Sequence, residues 1–186
     1  MKDKKNNEKL LKEIALPEKV NASIDEGILL IKGPKGEVRK EFKLRRISIE
    51  ISGQKIVLKT KKSTKRDKTF VGSVEAHIKN MVRGSMENHF YTLKICSGHF
   101  PMNVSVNNNK LVVKNFLGEK VPRILNLKSG VEVKVEGDLI RVTGPSKETA
   151  GQVSGDIEQL TRRPGYDGRV FQDGIWITSK DGEELK

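Results

Sequence analysis

Residues 20–24 read Val-Asn-Ala-Ser-Ile, and residues 102–106 read Met-Asn-Val-Ser-Val, so one short pattern occurs twice in the chain. The match continues in the same order and at the same spacing, because Leu-Leu-Ile-Lys at 29–32 is followed 82 positions later by Leu-Val-Val-Lys at 111–114. Chance similarity between two strand-rich stretches rarely preserves order, glycines and periodicity together. The sequence is therefore predicted to contain two copies of one structural unit.

Both copies show the period of half-buried strands and then the period of a helix. Isoleucines at 47, 49 and 51, and valines at 131, 133 and 135, alternate with polar residues before a glycine suited to a tight hairpin turn. Further along, apolar residues recur with a helical period of 3.6 residues. The predicted helical faces are Phe70, Val74, Ile78 and Met81 in the first copy and Ala150, Val153, Ile157 and Leu160 in the second.

The predicted fold is α+β, with two tandem homologous modules that are each a small antiparallel sheet covered by one helix. The first module, residues 1–88, carries an N-terminal extension, and the second, residues 89–186, carries a C-terminal tail. Ser146 has the residue type and position of a helix N-cap. Trp176, between two isoleucines, is expected to fill the core of the second module.

The charge of the chain favours a polyanionic partner. Its 36 Lys and Arg residues against 24 Asp and Glu give a net charge of +12, and such a protein gains binding energy by displacing counterions from a nucleic acid. Residues 1–90 carry 22 basic and 12 acidic side chains, whereas residues 91–186 carry 14 and 12. An anionic membrane surface is the other possible partner, but no apolar run reaches the ~18 residues of a spanning helix.

Signals of secretion and catalysis are not found in the sequence. The basic N-terminal residues are not followed by an apolar core, so no secretory signal is expected. Cys96 is the single cysteine, which excludes an internal disulfide and fits a reducing compartment. Cys96 and His99 would supply only part of a structural zinc site, so no metal or cofactor is expected. Phosphate-binding and hydrolase motifs are missing, and the acidic residues are scattered, so no enzymatic activity is expected.

Three motifs in the duplicated chain resemble the sixth protein of the large ribosomal subunit, a family present in all cells. They are Lys-Gly-Pro-Lys-Gly-Glu at 32–37, Val-Thr-Gly-Pro-Ser-Lys-Glu at 142–148 and Arg-Arg-Pro-Gly-Tyr-Asp-Gly-Arg-Val-Phe at 162–171. The bacterial branch has a Tyr-Lys-Gly-Lys-Gly segment where this chain has Tyr-Asp-Gly-Arg at 166–169, and the following residues are similar to the archaeal and eukaryotic branch instead.

The resemblance implies a structural, non-catalytic protein of the cytoplasmic ribosome that supports translation. Such proteins bind large-subunit ribosomal RNA, chiefly through the second module and tail, near the subunit interface at the base of the stalk that recruits translation factors. The expected partners are this RNA and neighbouring large-subunit proteins near the stalk base, with no membrane and no small-molecule substrate. The candidate RNA-binding residues are Lys61, Lys62, Lys65, Arg66, Lys68, Lys147, Arg162, Arg163, Tyr166, Arg169 and Lys180.

The candidate residues leave alternatives open. Segment 59–68 leads to a helix N-terminus, where free N–H groups favour a phosphate, or it is a solvated extension of a hairpin. In the tail, arginines can bind phosphate oxygens and Tyr166 can stack on a base, or Tyr166 packs on its own module. Residues 33–36 have the Gly-x-x-Gly spacing of a KH loop, but they lie between predicted strands and favour a hairpin turn.

Two other classes of function compete with a ribosomal one. A free regulator that binds single-stranded RNA would show aromatic pairs on a sheet face, and aromatic residues make up only 5% of this chain. A small enzyme would need a catalytic constellation, and the sequence shows none.

Charge favours the first module for RNA contact, whereas the resemblance favours the second. We predict specific RNA contact in the second module, because net charge measures general attraction and not the place of a binding surface.

Overall fold

The computed structural model describes residues 11–42, 47–60 and 64–185. The chain divides into two compact units, residues 1–87 and 88–186, which we call the first and second modules. Each module is built from antiparallel strands and one helix of several turns, so the predicted α+β fold with two tandem modules is confirmed.

Two small sheets form the described part of the first module together with helix α1 (Lys65–Met86). The strands are β1 (Leu11–Ala15), β2 (Asn21–Asp25), β3 (Ile28–Gly33), β4 (Gly36–Glu41), β5 (Ile47–Ser52) and β6 (Lys55–Thr60). They pair antiparallel in the orders β2-β3-β4 and β1-β6-β5. Alternate side chains of the central strands face the core, where Leu29, Ile31, Ile56 and Leu58 are fully buried.

Helix α1 covers this core with one stripe of side chains. Its buried apolar residues are Val71, Val74, Ile78 and Met81, which recur every three or four positions. The prediction that Phe70 belongs to this stripe is wrong, since 49% of the residue is exposed. A helix turns about 100° per residue, so Phe70 lies at the edge of the stripe and Val71 takes the inward position.

The second module contains helix α2 (Lys147–Leu160) and a short 3-10 turn at Phe116–Gly118. Its strands are β7 (His89–Cys96), β8 (Asn103–Asn107), β9 (Lys110–Lys114), β10 (Arg123–Asn126), β11 (Glu132–Glu136), β12 (Leu139–Gly144), β13 (Gly174–Lys180) and β14 (Glu183–Glu184). They form a three-stranded sheet, β10-β9-β8, and a five-stranded sheet, β11-β12-β7-β13-β14, again with antiparallel pairs.

Helix α2 follows the sequence prediction closely. Ala150, Val153 and Ile157 are buried, and Leu160 is partly buried against the same core. Ser146 is the N-cap, as predicted, because its Oγ accepts a hydrogen bond from the backbone N–H of Thr149 at 3.3 Å. This bond satisfies one of the donors that a helix N-terminus leaves without an internal partner.

Strand β13 makes the C-terminal tail part of the second module's fold. It pairs with β7, and its Ile175 is only 1% exposed within the core. The prediction that Trp176 fills this core is wrong, since the residue is 46% exposed. Successive residues of a strand point to opposite faces, so Trp176 must face outward when Ile175 faces inward. The indole Nε1–H donates to the backbone oxygen of Gln172 at 3.0 Å.

The grouping of strands adds detail that the sequence pattern does not contain. Among the described residues, the strands of each module form two sheets rather than the single sheet predicted. Alternation along a sequence identifies strands and their inner faces but not their hydrogen-bonded neighbours. The predicted hairpin at residues 33–36 is confirmed, since it joins β3 to β4 and Gly36 has a φ of +146°. The Lys35 N–H donates to the backbone oxygen of Ser85 at 3.0 Å, so this hairpin contacts the end of helix α1.

Candidate nucleic-acid interface

Residues 162–173 join helix α2 to strand β13 without regular secondary structure. The segment is nevertheless ordered by hydrogen bonds around Asp167, whose backbone oxygen accepts from the N–H groups of Val170 and Phe171 at 3.1 and 2.9 Å. The Asp167 carboxylate also accepts from the backbone N–H of Arg169 at 2.9 Å. Arg162, at the start of the segment, and Arg169, within the turn, are both exposed, so both guanidinium groups are available to a partner.

Four side chains form a row from the tail to the loop after β7: Arg163, Tyr166, Phe171 and His99. The Arg163 guanidinium carbon lies 4.5 Å from the centre of the Tyr166 ring, and this ring meets Phe171 edge-on at a centroid distance of 5.0 Å. Phe171 in turn lies 5.1 Å from the His99 ring. Tyr166 is therefore fixed on one side, but it remains 44% exposed and can still present a ring to a base.

Asp173 holds the end of this row in place. Its Oδ1 accepts from the backbone N–H groups of Gly98 and His99 at 2.7 and 3.0 Å, and its Oδ2 accepts from Nδ1 of His99 at 2.5 Å. Burial opposes ionisation of this carboxyl group, but the hydrogen bonds from His99 and Gly98 outweigh burial and lower its pKa. The tail is thus joined to the β7–β8 loop by an ionised, nearly buried side chain.

A second ionic cluster fixes the start of the tail. Arg123 donates from Nε and Nη2 to the carboxylate of Glu119 at 2.8 and 2.7 Å, and from Nη1 to the backbone oxygen of Leu160 at 2.6 Å. Arg163 approaches the same carboxylate at 3.7 Å. The hydrogen bonds from Arg123 lower the pKa of Glu119 despite partial burial. Part of the positive charge of Arg163 is therefore balanced within the module.

The predicted residues Lys147 and Lys180 lie on regular elements of the second module. Lys147 is the first residue of α2, and its Nζ is 3.3 Å from the carboxylate of Asp181. Asp181 also pairs with the buried His89, so Lys147 is partly engaged inside the module. Lys180 ends strand β13 and is exposed.

The basic cluster of the first module is placed differently from its prediction. Strand β6 extends to Thr60 and helix α1 begins at Lys65, so Lys65, Arg66 and Lys68 lie on the exposed first turn of a helix rather than in a loop. The predicted Lys61 and Lys62 lie outside the described residues.

The N-terminus of α1 is closed by its own side chains. Thr64 Oγ1 accepts from the Asp67 N–H at 3.2 Å, and the Asp67 carboxylate accepts from the Thr64 N–H and hydroxyl at 3.3 and 2.6 Å. This reciprocal capping box satisfies donors that the sequence interpretation left free for a phosphate, and it adds a negative charge beside them. The exposed side chains of Lys65, Arg66 and Lys68 remain available to an anion on this turn.

The family model of Ribosomal protein L6 matches residues 16–87 and 100–174, which correspond to the two modules. The chain belongs to the Ribosomal protein L6 family. The L6 proteins are structural components of ribosomes and not enzymes, so the predicted family, its non-enzymatic role and its place in the cytoplasmic ribosome are confirmed.

Relatives named Large ribosomal subunit protein uL6 match almost the full length of the chain. The relative from Methanobrevibacter smithii is 40% identical over 91% of this chain and 95% of its own length. The relative from Nanoarchaeum equitans is 42% identical over 93% and 94%, and that from Saccharolobus solfataricus is 40% identical over 92% and 96%. These L6 proteins are archaeal, in agreement with the archaeal character of the tail sequence.

Some residues of the L6 interface region could not be found from the sequence. His99 and Phe171 join the row of rings only because Asp173 closes a contact across 74 positions of the chain. Phe90 and Trp176 are both exposed, and strand alternation alone is enough to predict that they point away from the core.

Between residues 11 and 185, outside the two gaps, no group of three or more potential ligands is arranged to bind a metal ion. No helix among the same residues has the length and apolarity needed to cross a membrane.

Proposed function

We propose that this L6 protein is a structural constituent of the large ribosomal subunit that binds large-subunit ribosomal RNA mainly through its second module and tail. Its position is near the subunit interface at the base of the factor-recruiting stalk, where neighbouring ribosomal proteins complete its surroundings. In this role the protein supports translation by holding folded RNA segments together. The stalk-base position follows from the family resemblance, whereas the RNA-binding surface is argued from the residues below.

One observation carries the proposal: residues 162–171 expose two arginines and one aromatic ring on a segment whose backbone is held by hydrogen bonds around Asp167. Arg162 and Arg169 are exposed, and Tyr166 is supported by Phe171 on one side. A guanidinium group binds phosphate oxygens through two parallel hydrogen bonds, and a tyrosine ring can stack on an unpaired base. Because the turn is already ordered, RNA binding would lose little conformational entropy.

The first module contributes general attraction in this proposal. Its exposed cations include Lys65, Arg66 and Lys68 on the first turn of α1. Lysines at a surface bind phosphates as point charges without reading sequence or shape in detail. We therefore assign specific RNA contact to the second module and long-range electrostatic attraction to the first.

Salt-dependent binding of the full chain to large-subunit ribosomal RNA tests the proposal. Replacing Arg162 and Arg169 by Gln should weaken binding and lower the slope of log affinity against log salt by roughly 1.4 to 1.8, since each lost phosphate contact removes about 0.7 to 0.9 from the slope. The matched control replaces two exposed lysines of the first module, Lys19 and Lys35, by Gln, with the same loss of charge. An equal or larger effect of the control would contradict a binding surface on the tail.

Deletion of the tail would be a poor test. Residues 162–186 include β13, so their removal would take a strand out of the five-stranded sheet and Ile175 out of the core. Loss of ribosome incorporation would then report unfolding. The stalk-base position is tested by chemical cross-linking of assembled large subunits through Lys180, and cross-links only to proteins remote from the stalk would overturn it.

A further inference from the structure

A cavity of about 320 Å³ lies between the tail and the loop that follows β7. It is lined by residues 96–99 and by Val170, Gln172 and Asp173, all from the second module. Small-molecule pockets begin at about 300 Å³, so the space is large enough for one nucleobase but not for a folded segment of a partner. None of the predicted RNA-binding residues lines this cavity.

His99 gives the cavity a fixed aromatic wall. Its Nδ1 and backbone N–H are both held by Asp173, and its ring packs beside Phe171 at 5.1 Å. The imidazole is therefore held in one orientation, although 43% of its side chain is exposed. Since Nδ1 is engaged by Asp173, a ligand would address the second ring nitrogen, Nε2, or the ring face.

The charges around the cavity favour a base over a phosphate. The Asp173 carboxylate is part of the wall, and a negative group at that place disfavours a phosphate inside the cavity. Gln172 offers an amide that can both donate to and accept from the edge of a base. Arg169 precedes the lining residue Val170 and is exposed, so its guanidinium group can bind a phosphate that flanks an inserted nucleotide.

We propose that this cavity binds a single unstacked base of large-subunit ribosomal RNA, with His99 as the ring wall and Gln172 at the base edge. The inference rests on the proposed RNA-binding function and adds a mode of recognition to it. Unpaired bases in loops and bulges are splayed out and stacked on aromatic or imidazole rings in many RNA-binding proteins. The tail thus reads one extruded nucleotide in addition to binding the backbone.

Filling the cavity tests the proposal without changing any charge. Val170 lines the cavity and is 60% exposed, so Val170→Trp should block entry while the module remains folded. Val121 in the same module is 76% exposed and does not line the cavity, so Val121→Trp is the matched control. His99→Ala and Gln172→Ala remove the proposed wall and the edge contact. Each full-length variant is titrated with a transcript of large-subunit ribosomal RNA at several salt concentrations.

The expected result is a loss of affinity of about tenfold for Val170→Trp and His99→Ala, which is the size of one lost base-stacking contact. The salt slope should stay at its wild-type value, because no phosphate contact is removed. Chemical probing should show one unpaired base that wild-type protein and Val121→Trp protect and Val170→Trp leaves reactive. Melting temperatures are measured for every variant and binding is compared where all are folded, because His99→Ala also removes a hydrogen-bond partner of Asp173.

Two negative results are distinguishable. Tight wild-type binding with equal affinities for Val170→Trp and Val121→Trp would overturn the base pocket and leave the proposed function standing; the cavity would then face a protein neighbour or solvent. Failure of the wild-type protein to prefer ribosomal RNA over an unrelated transcript of equal length would overturn the proposed function, and the pocket with it.

Discussion

The buried imidazole of His89 lies 3.0 Å from both carboxylate oxygens of Asp181, a residue 92 positions further along the chain. His89 is the first residue of β7, and Asp181 lies in the turn between β13 and β14. The pair therefore joins the first strand of the second module to the turn between its last two strands. Lys147 approaches the same carboxylate from the start of α2. Three separate segments therefore meet at one nearly buried acid.

We expect Asp181→Asn to lower the free energy of unfolding of the second module by about 1–3 kcal/mol, because a charge-assisted hydrogen bond to a buried group is lost. Asparagine tolerates the positive φ of +55° at this position, so backbone strain is not added. Urea unfolding followed by tryptophan fluorescence measures the effect through Trp176. Asp138→Asn, an exposed turn residue in the same module, is the control and should change stability by less than about 0.5 kcal/mol.

Acid sensitivity should depend on Asp173. The pKa of this carboxyl group is lowered in the folded protein, so its ionisation stabilises the fold at pH values above its unfolded pKa of about 4 and this contribution is lost as pH falls through the lower folded value. Asp173→Asn should therefore be less stable than wild type at neutral pH, and the difference should shrink below pH ~4. Thermal unfolding at a series of pH values measures it. A difference that stays constant down to acid pH would contradict the assignment.

The capping box of α1 gives a prediction for the first module. Thr64→Ala removes the side-chain acceptor of the Asp67 N–H and should destabilise the start of the helix by about 1 kcal/mol. Hydrogen exchange of the α1 amides should accelerate most in the first turn. Thr69→Ala is the control, because its hydroxyl donates only to the backbone oxygen of Lys65 within the same helix, and it should leave exchange nearly unchanged.

Two glycines of the first module should respond to alanine with opposite signs. A Cβ on Gly33 would lie 2.5 Å from the backbone oxygen of Ser85, so Gly33→Ala must push the β3–β4 hairpin away from helix α1 and should cost about 1–3 kcal/mol. Gly72 lies in α1 with open space around its Cβ position, and Gly72→Ala should stabilise the module by up to about 1 kcal/mol. Urea unfolding of both variants measures the difference. Equal effects would show that the hairpin adapts freely.

The sequence was informative wherever a rule acts over a few neighbouring residues. The Ser146 cap, the hairpin at 33–36 and the inner face of α2 depend on local periodicity and turn chemistry, and the structure confirms them. The prediction for Phe70 is wrong because a helical period does not decide which of two neighbouring apolar residues begins the buried stripe, and in α1 Val71 takes that position. The prediction for Trp176 is wrong because strand alternation, which turns Ile175 into the core, turns Trp176 outward.

The candidate site was only partly accessible by the same reasoning. Basic residues and Tyr166 could be selected by type, but the contact of His99 with Asp173 joins two loops 74 residues apart. No local pattern contains such a pairing, since it depends on how β13 returns to lie beside β7. The Thr-x-x-Asp spacing at residues 64–67, ahead of an apolar helical run, is by contrast a sequence signature of the capping box that closes the start of α1, where the sequence interpretation placed a phosphate.

The position of β13 has a consequence for synthesis of the chain. All described strands of the first module and its helix are complete by residue 86, so this half can close early while translation continues. The second module cannot close early, because one edge of β7 pairs with β13, which is formed by residues 174–180. A nascent intermediate with an unfilled sheet edge must therefore exist until those residues emerge, and during that interval an unpaired strand is open to wrong partners.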